Sequence, residues 1–368
     1  MLKNSLIRRK NRKLIFDAMK YIPLKTTLFL ILLSVMSCDE PETVVTDIVH
    51  ADGSVTRRIE MKNIENKFET SDMQVPFDST WVIRDSVETD EKGDTTWVKR
   101  AEKTFASAEE LNLTYKNDSG ANRKFLRSAH FSKRFRWFNT EYRFSEKIDR
   151  TMEFGYPVSD FLNEEELRFY YAPDSYRDEK LNGADSTRYK ALQDSINDKT
   201  DRWSMKNLID EWVGVFSNLL NGKAQGMLSA DSLRKQEDKF VTICGANEDK
   251  LDSLWTNGIL LRELIGEDNA TRYKNEADSA VDIAADKLWV DFKSYTVKMS
   301  MPGKLTGTNG YIDSSKVLTW PVKSDFFMTE PYVMWAESKV QNKWAWIISG
   351  VFLLFVFTGF LIRLIKKG

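Results

Sequence analysis

Hydrophobic and polar positions alternate in three different ways along this chain. From Thr43 to Met61, β-branched residues alternate with polar ones on both sides of Asp52-Gly53, which predicts a β-hairpin closed by an Asp-Gly turn. A second hairpin is predicted from Trp81-Val82-Ile83 and Thr95-Thr96-Trp97-Val98, around a polar segment that contains Gly93, and a third β-rich stretch runs from Phe131 to Phe144. Between Ser159 and Asp286 the period changes: Leu208, Trp212, Val215, Phe216 and Leu219 recur three and four apart, as on one face of a helix. Ser159 with Asp160, and Ser229 with Asp231, carry the polar chemistry of helix starts. Strands return over Ser294 to Met301, Lys316 to Trp320 and Tyr332 to Ala336, with turns at Pro302-Gly303 and Asn309-Gly310. Strands that bracket a helical centre predict an α+β fold, in which a β-sheet is formed by N- and C-terminal strands and the helical central region covers it or forms a lobe.

Two apolar runs follow neither period. Leu28 to Ser37 is preceded by Lys20 and Lys25 and followed at once by Cys38, the layout of a signal peptide. Val35-Met36-Ser37-Cys38 resembles the bacterial lipobox, which implies that residues 1–37 are removed and that Cys38 is diacylated. Met19 gives a leader of ordinary proportions and is the expected start. At the other end, Trp344 to Ile362 are 19 consecutive uncharged residues, about 28 Å as a helix and so long enough for a transmembrane helix. Trp344 and Trp346 suit the outer interface, and Arg363, Lys366 and Lys367 the cytoplasmic one, so the expected C-terminus is cytoplasmic. The expected organisation is therefore 38–158, a β-rich part; 159–290, helical; 291–343, β; 344–362, spanning; and 363–368, a tail. Acyl chains and helix together are expected to hold the domain on the outer face of the cytoplasmic membrane.

The whole-chain charge of −1 hides an asymmetry, because residues 39–343 hold 43 basic and 54 acidic residues, a net charge near −11. Nucleic acid is excluded as a natural partner on that ground. Candidate chemistry is sparse. His50 and His130 are the two histidines and neither stands in a nucleophile or metal-ligand context, so no metal site and no cofactor is expected. Cys244 has no expected disulfide partner and reads as a small buried thiol. Glu164, Glu165 and Glu166 suit a helix start facing water better than acid–base work, so no catalytic residue is assigned and the chain is not read as an enzyme. The twelve residues from Thr187 and from Thr271 share seven positions, which fits either a duplicated helix or coincidence. One patch stands out in the acidic domain: Lys133, Arg134, Phe135, Arg136 and Trp137, continued by Phe138, Tyr142, Arg143 and Phe144, alternate cations with aromatics. This suits a lipid headgroup or glycan, or else a strand with its aromatics in the core and its charges in water.

An Asp-Gly hairpin just after a lipobox, then Met301-Pro302-Gly303, Asn309-Gly310, Thr319-Trp320 and a terminal apolar helix occur in an order that resembles LppM-like envelope lipoproteins. The resemblance covers roughly 80 residues and implies a sheet-and-helix domain at the membrane surface that binds lipid or glycolipid; the helical region 159–286 departs from the small version of that domain. The sequence thus supports a membrane-anchored lipid- or glycolipid-binding module, with a scaffold for envelope proteins as the alternative and a carboxylate-dependent hydrolase as the third reading.

Overall fold

The computed structural model describes residues 42–68, 79–89, 93–118, 124–152, 154–172, 183–220, 228–247, 250–288, 290 and 292–366; the leader, Met19 and Cys38 lie outside these. The chain divides into two compact units. One holds residues 41–153, 163–192 and 292–368, and the other 154–162 and 193–291.

The first unit carries all the described strands, and they form two sheets rather than one. Strands β1 (Glu42–Val49), β2 (Val55–Asn63), β3 (Val82–Thr89), β4 (Thr95–Phe105), β7 (Tyr295–Ser300), β9 (Tyr311–Ile312) and β10 (Leu318–Val322) make a seven-stranded sheet in the order β3-β4-β2-β1-β7-β10-β9. Strands β5 (Arg127–Phe135), β6 (Asn139–Ile148), β8 (Lys304–Thr308) and β11 (Tyr332–Gln341) make a four-stranded sheet in the order β5-β6-β11-β8. N- and C-terminal strands pair in both: β1 lies parallel to β7, and β6 antiparallel to β11 from Ile148↔Tyr332 to Asn139↔Gln341. Strict alternation builds the inner faces, with Val45, Val49, Ile59 and Met61 from the larger sheet and Phe144, Ile148, Met334 and Ala336 from the smaller one all buried.

Tight turns set how closely these strands approach. Gly53 closes the first hairpin at φ +99, and a Cβ there would meet the Phe131 ring at 2.9 Å. Gly303, at φ +81 between β7 and β8, lies where a Cβ would come within 2.4 Å of the Lys339 carbonyl oxygen. The same contacts fix the sense of the strands. The Arg127 guanidinium lies 5.1 Å from the Tyr295 ring, joining the start of β5 to the start of β7. Lys133 Nζ donates to the Ala51 carbonyl (3.0 Å), and Ser338 Oγ to the Pro302 carbonyl (2.7 Å), joining the far ends. Strands β1, β5, β7 and β11 therefore all run the same way, from a start end to a finish end.

Helix α1 (Ala108–Lys116) packs on β5, capped by Ser107, and α2 (Glu164–Tyr171) begins with a capping box made by Asn163 and Glu166 rather than at Ser159. Helix α3 (Gly183–Leu219) passes from the first unit to the second between Leu192 and Gln193. The second unit adds α4 (Ala230–Arg234), α5 (Glu237–Ala246), α6 (Leu251–Thr256), α7 (Ile259–Ile265), α8 (Glu267–Arg272) and α9 (Lys274–Leu288). Its core centres on Trp212, stacked on Phe216 at 5.0 Å and donating from Nε1 to the Ala277 carbonyl. Ser229 caps α4 as its sequence predicts. Cys244 is buried there, and burial pushes its thiol up to about 11, which removes thiolate reactivity at neutral pH. The echoed segments differ: Thr187 to Asp198 lies inside α3, whereas Thr271 to Lys274 contains the break between α8 and α9.

The last element, α10 (Lys343–Ile365), follows β11 after the single residue Asn342. It has 23 residues and a mean hydropathy of 2.4 over its apolar window, long and apolar enough to cross a bilayer, and almost all of it is exposed.

Candidate functional site

The functional candidate grows out of the β6–β11 register. Because Gln341 pairs with Asn139, β11 ends beside the turn of the β5–β6 hairpin, and Asn342 is placed to bond that turn. It donates from its backbone to the Phe138 carbonyl (3.0 Å) and from Nδ2 to the Arg136 (2.7 Å) and Trp137 (3.2 Å) carbonyls, and it accepts from Thr140 Oγ1 (3.0 Å). Hairpin tip and helix start are thus one body.

Aromatic rings complete the joint. Phe135 stacks on Trp344 (6.3 Å), Trp137 meets Trp344 edge-on (5.3 Å), and Phe138 lies 4.4 Å from Trp346. Trp137 Nε1 donates to Ser349 Oγ at 2.9 Å. These rings nevertheless stay in contact with solvent: Phe135 is 58% exposed, Trp137 47%, Trp344 48% and Trp346 56%. The core-strand alternative fails for the tip, since Phe131 is half-buried and Phe135, Trp137 and Phe138 are not in the core, but it holds on β6, where Tyr142 and Phe144 are buried and Arg143 is exposed. Contiguous exposed apolar surface of this kind is the sort that proteins use for protein or membrane contacts. Its cations are exposed as well. Arg136 pairs loosely with Glu141 (3.4 Å), Arg134 faces Glu141 in register, Lys133 reaches the Ala51 carbonyl, and Lys339 and Lys343 stand nearby on β11 and α10. All five residues singled out in the sequence, Lys133, Arg134, Phe135, Arg136 and Trp137, are brought together here. What the sequence does not announce is the contribution of Trp344, Trp346, Ser349 and Asn342, which arrives from 200 residues away.

Two other polar features of this unit compare poorly with the tip. A trough of roughly 650 Å³ crosses the outer face of the larger sheet, lined by Arg58, Arg84, Arg100 and Lys298 among others. Its charges are largely spent on cross-strand pairs, Arg58 with Glu102, Arg100 with Glu60 and Glu88, and Lys62 with Glu88. Between the sheets lies a buried ionic joint. Arg57 bonds both Asp47 oxygens (2.7 and 2.6 Å) and Glu146 Oε2 (2.5 Å), and it contacts the Tyr115 hydroxyl, while Arg127 covers the Tyr115 and Tyr295 rings. Burial opposes the charge on Glu146, but Arg57 and Arg127 outweigh it and hold that carboxyl below the ordinary range. Burial raises Asp47 in spite of Arg57. Two cations and two carboxylates balance, so the joint reads as a structural clasp. Sequence reasoning missed it, although Asp47 and Arg57 both occupy inward positions of alternating strands.

Of the two histidines, His50 places Nε2 3.0 Å from Thr56 Oγ1, and His130 is exposed. Among the described residues there is no cluster of His, Cys, Asp or Glu fit to hold a metal ion.

No family model matches the chain, and no curated protein does. Among solved structures, the NMR structure of the folded domain of Mycobacterium tuberculosis LppM aligns with 83% of this chain and 92% of its own at 10% identity, with a TM-score of 0.26, too slight a likeness to carry an argument about fold or function.

Proposed function

We propose that this is a membrane-anchored envelope protein whose outer domain binds a lipid or glycolipid at the surface of the bilayer that α10 enters. The observation that supports this reading most is the joint at Asn342. It couples an apolar helix of spanning length to an exposed aromatic and basic hairpin tip, so that a surface suited to lipid is held where lipid would be. The outer domain stands outside the cytoplasm, with the tail of α10 and its Arg363 and Lys366 on the cytoplasmic side.

Intact-mass and lipid analysis of the protein purified in detergent from its native membrane tests the proposal. Co-purified lipid that is lost in the Arg134→Ala, Arg136→Ala, Trp137→Ala triple variant is the expected outcome. Protein free of lipid but carrying stoichiometric protein partners would replace this reading with that of an envelope scaffold.

A further inference from the structure

Three observations bear on how the tip meets a bilayer. The first is depth. Ser349, the residue that Trp137 bonds, is the seventh residue of α10, about 9 Å along the axis from Lys343. The tip therefore lies alongside the first two turns of the helix, level with Ile347 and Ile348, where the uncharged run is already under way. With Asn342 bonded to the tip by three hydrogen bonds and accepting a fourth, helix and tip cannot enter at different depths.

The second is charge. Lys133, Arg134, Arg136, Lys339 and Lys343 gather at this one end, with Glu141 and Asp52 as the neighbouring acids, in a region of the chain whose net charge is near −11. The third is sense. Strands β1, β5, β7 and β11 all run towards the tip end, so Glu42 stands at the opposite end of β1, about 23 Å from Val49 by strand rise.

We infer that the β5–β6 tip and the first two turns of α10 form a single interfacial seat that takes the headgroups of anionic phospholipids and stands the sandwich upright on the membrane. This deepens the membrane reading above and rests on it. Indole and phenyl rings settle at the headgroup level because one edge is apolar and the other tolerates water. The guanidinium forks of Arg134 and Arg136 match phosphate geometry, and a zwitterionic surface would leave the local excess of positive charge unmatched.

The test uses the full chain reconstituted in phosphatidylcholine vesicles doped with nitroxide-labelled phosphatidylglycerol or nitroxide-labelled phosphatidylcholine, reading the motionally restricted fraction of each label by electron spin resonance. The expected result is a preference for phosphatidylglycerol that falls on the order of fivefold when Arg134→Gln and Arg136→Gln are combined, and that weakens with added salt. Lys343→Gln is an independent variant should the double one misfold by near-ultraviolet circular dichroism. Equal association of the two lipids with the wild type, or a preference untouched by these variants, overturns the seat. Failure of the membrane reading itself shows separately, as protein that does not float with the vesicles at all, and this would overturn the seat too.

Discussion

The two halves of β5 carry the same residue types to opposite ends. Arg127 opens the strand at 8% exposure, enclosed with Tyr115 and Tyr295, whereas Arg134 and Phe135 close it exposed. Burial alternates over Arg127–His130 and then stops alternating, because both faces of the strand are open beyond Phe131. The cause is length. The larger sheet ends at the Gly53 turn, which packs on Phe131, so the last turn-ward residues of β5 project past it, where Phe135 meets Trp344 of α10 instead of a facing strand. A cation inside the sandwich must bring its own carboxylates, as Arg57 does with Asp47 and Glu146, while cations beyond it, such as Arg136 with its looser Glu141 pair at 3.4 Å, stay in contact with solvent. The difference teaches that in this strand pairing sets the pattern of faces, but the reach of the opposing sheet decides which charges are structural.

Breaking the inner half has the largest expected effect. Arg57→Met strands Asp47 and Glu146 in the interior and is expected to cost about 3–5 kcal/mol in urea unfolding, the range for removing one partner of a buried ionic set. Glu146→Gln acts on the same joint through pH. Its carboxyl is held below the ordinary value of 4.5 in the folded state, so the stability it contributes is present above that value and is lost as pH falls through the folded one. Asp47, raised by burial, works in the other sense and offsets part of that loss. The variant should therefore show a shallower decline in acid unfolding midpoint than the wild type. A smaller loss, on the order of 2 kcal/mol, is expected for Gly303→Ala, which combines a left-handed backbone with a clash against the Lys339 carbonyl, and thermal melting measures it. At the outer half, Arg134→Gln with Arg136→Gln should leave the melting temperature in place while changing lipid selectivity. A large stability loss there would make the tip part of the core and dissolve the comparison.

Much of the fold is legible in local pattern. Asp52-Gly53 between alternating β-branched residues gave the first hairpin because Gly tolerates φ +99 and the flanking alternation leaves one face to bury. The helical period around Trp212 and Phe216 likewise marks residues that do form a core. Strands β8 and β9 escaped notice because Lys-Leu-Thr-Gly-Thr and Tyr-Ile are too short and too poor in alternation to stand out; only the neighbouring strands hold them in place. The tip residues were legible as an unusual run of cations and rings, but not as part of a joint with the helix.

By itself, then, the sequence determined the element types, the apolar C-terminal helix and the segregation of positive charge at residues 133–136, because each depends on residues close together in the chain. Only the tertiary structure decided that two sheets close over Arg57, Asp47 and Glu146, and that Trp137 lies against Trp344 and Ser349. Both follow from registers between strands distant in sequence, and a register is chosen by the sum of many cross-strand contacts that no local window contains.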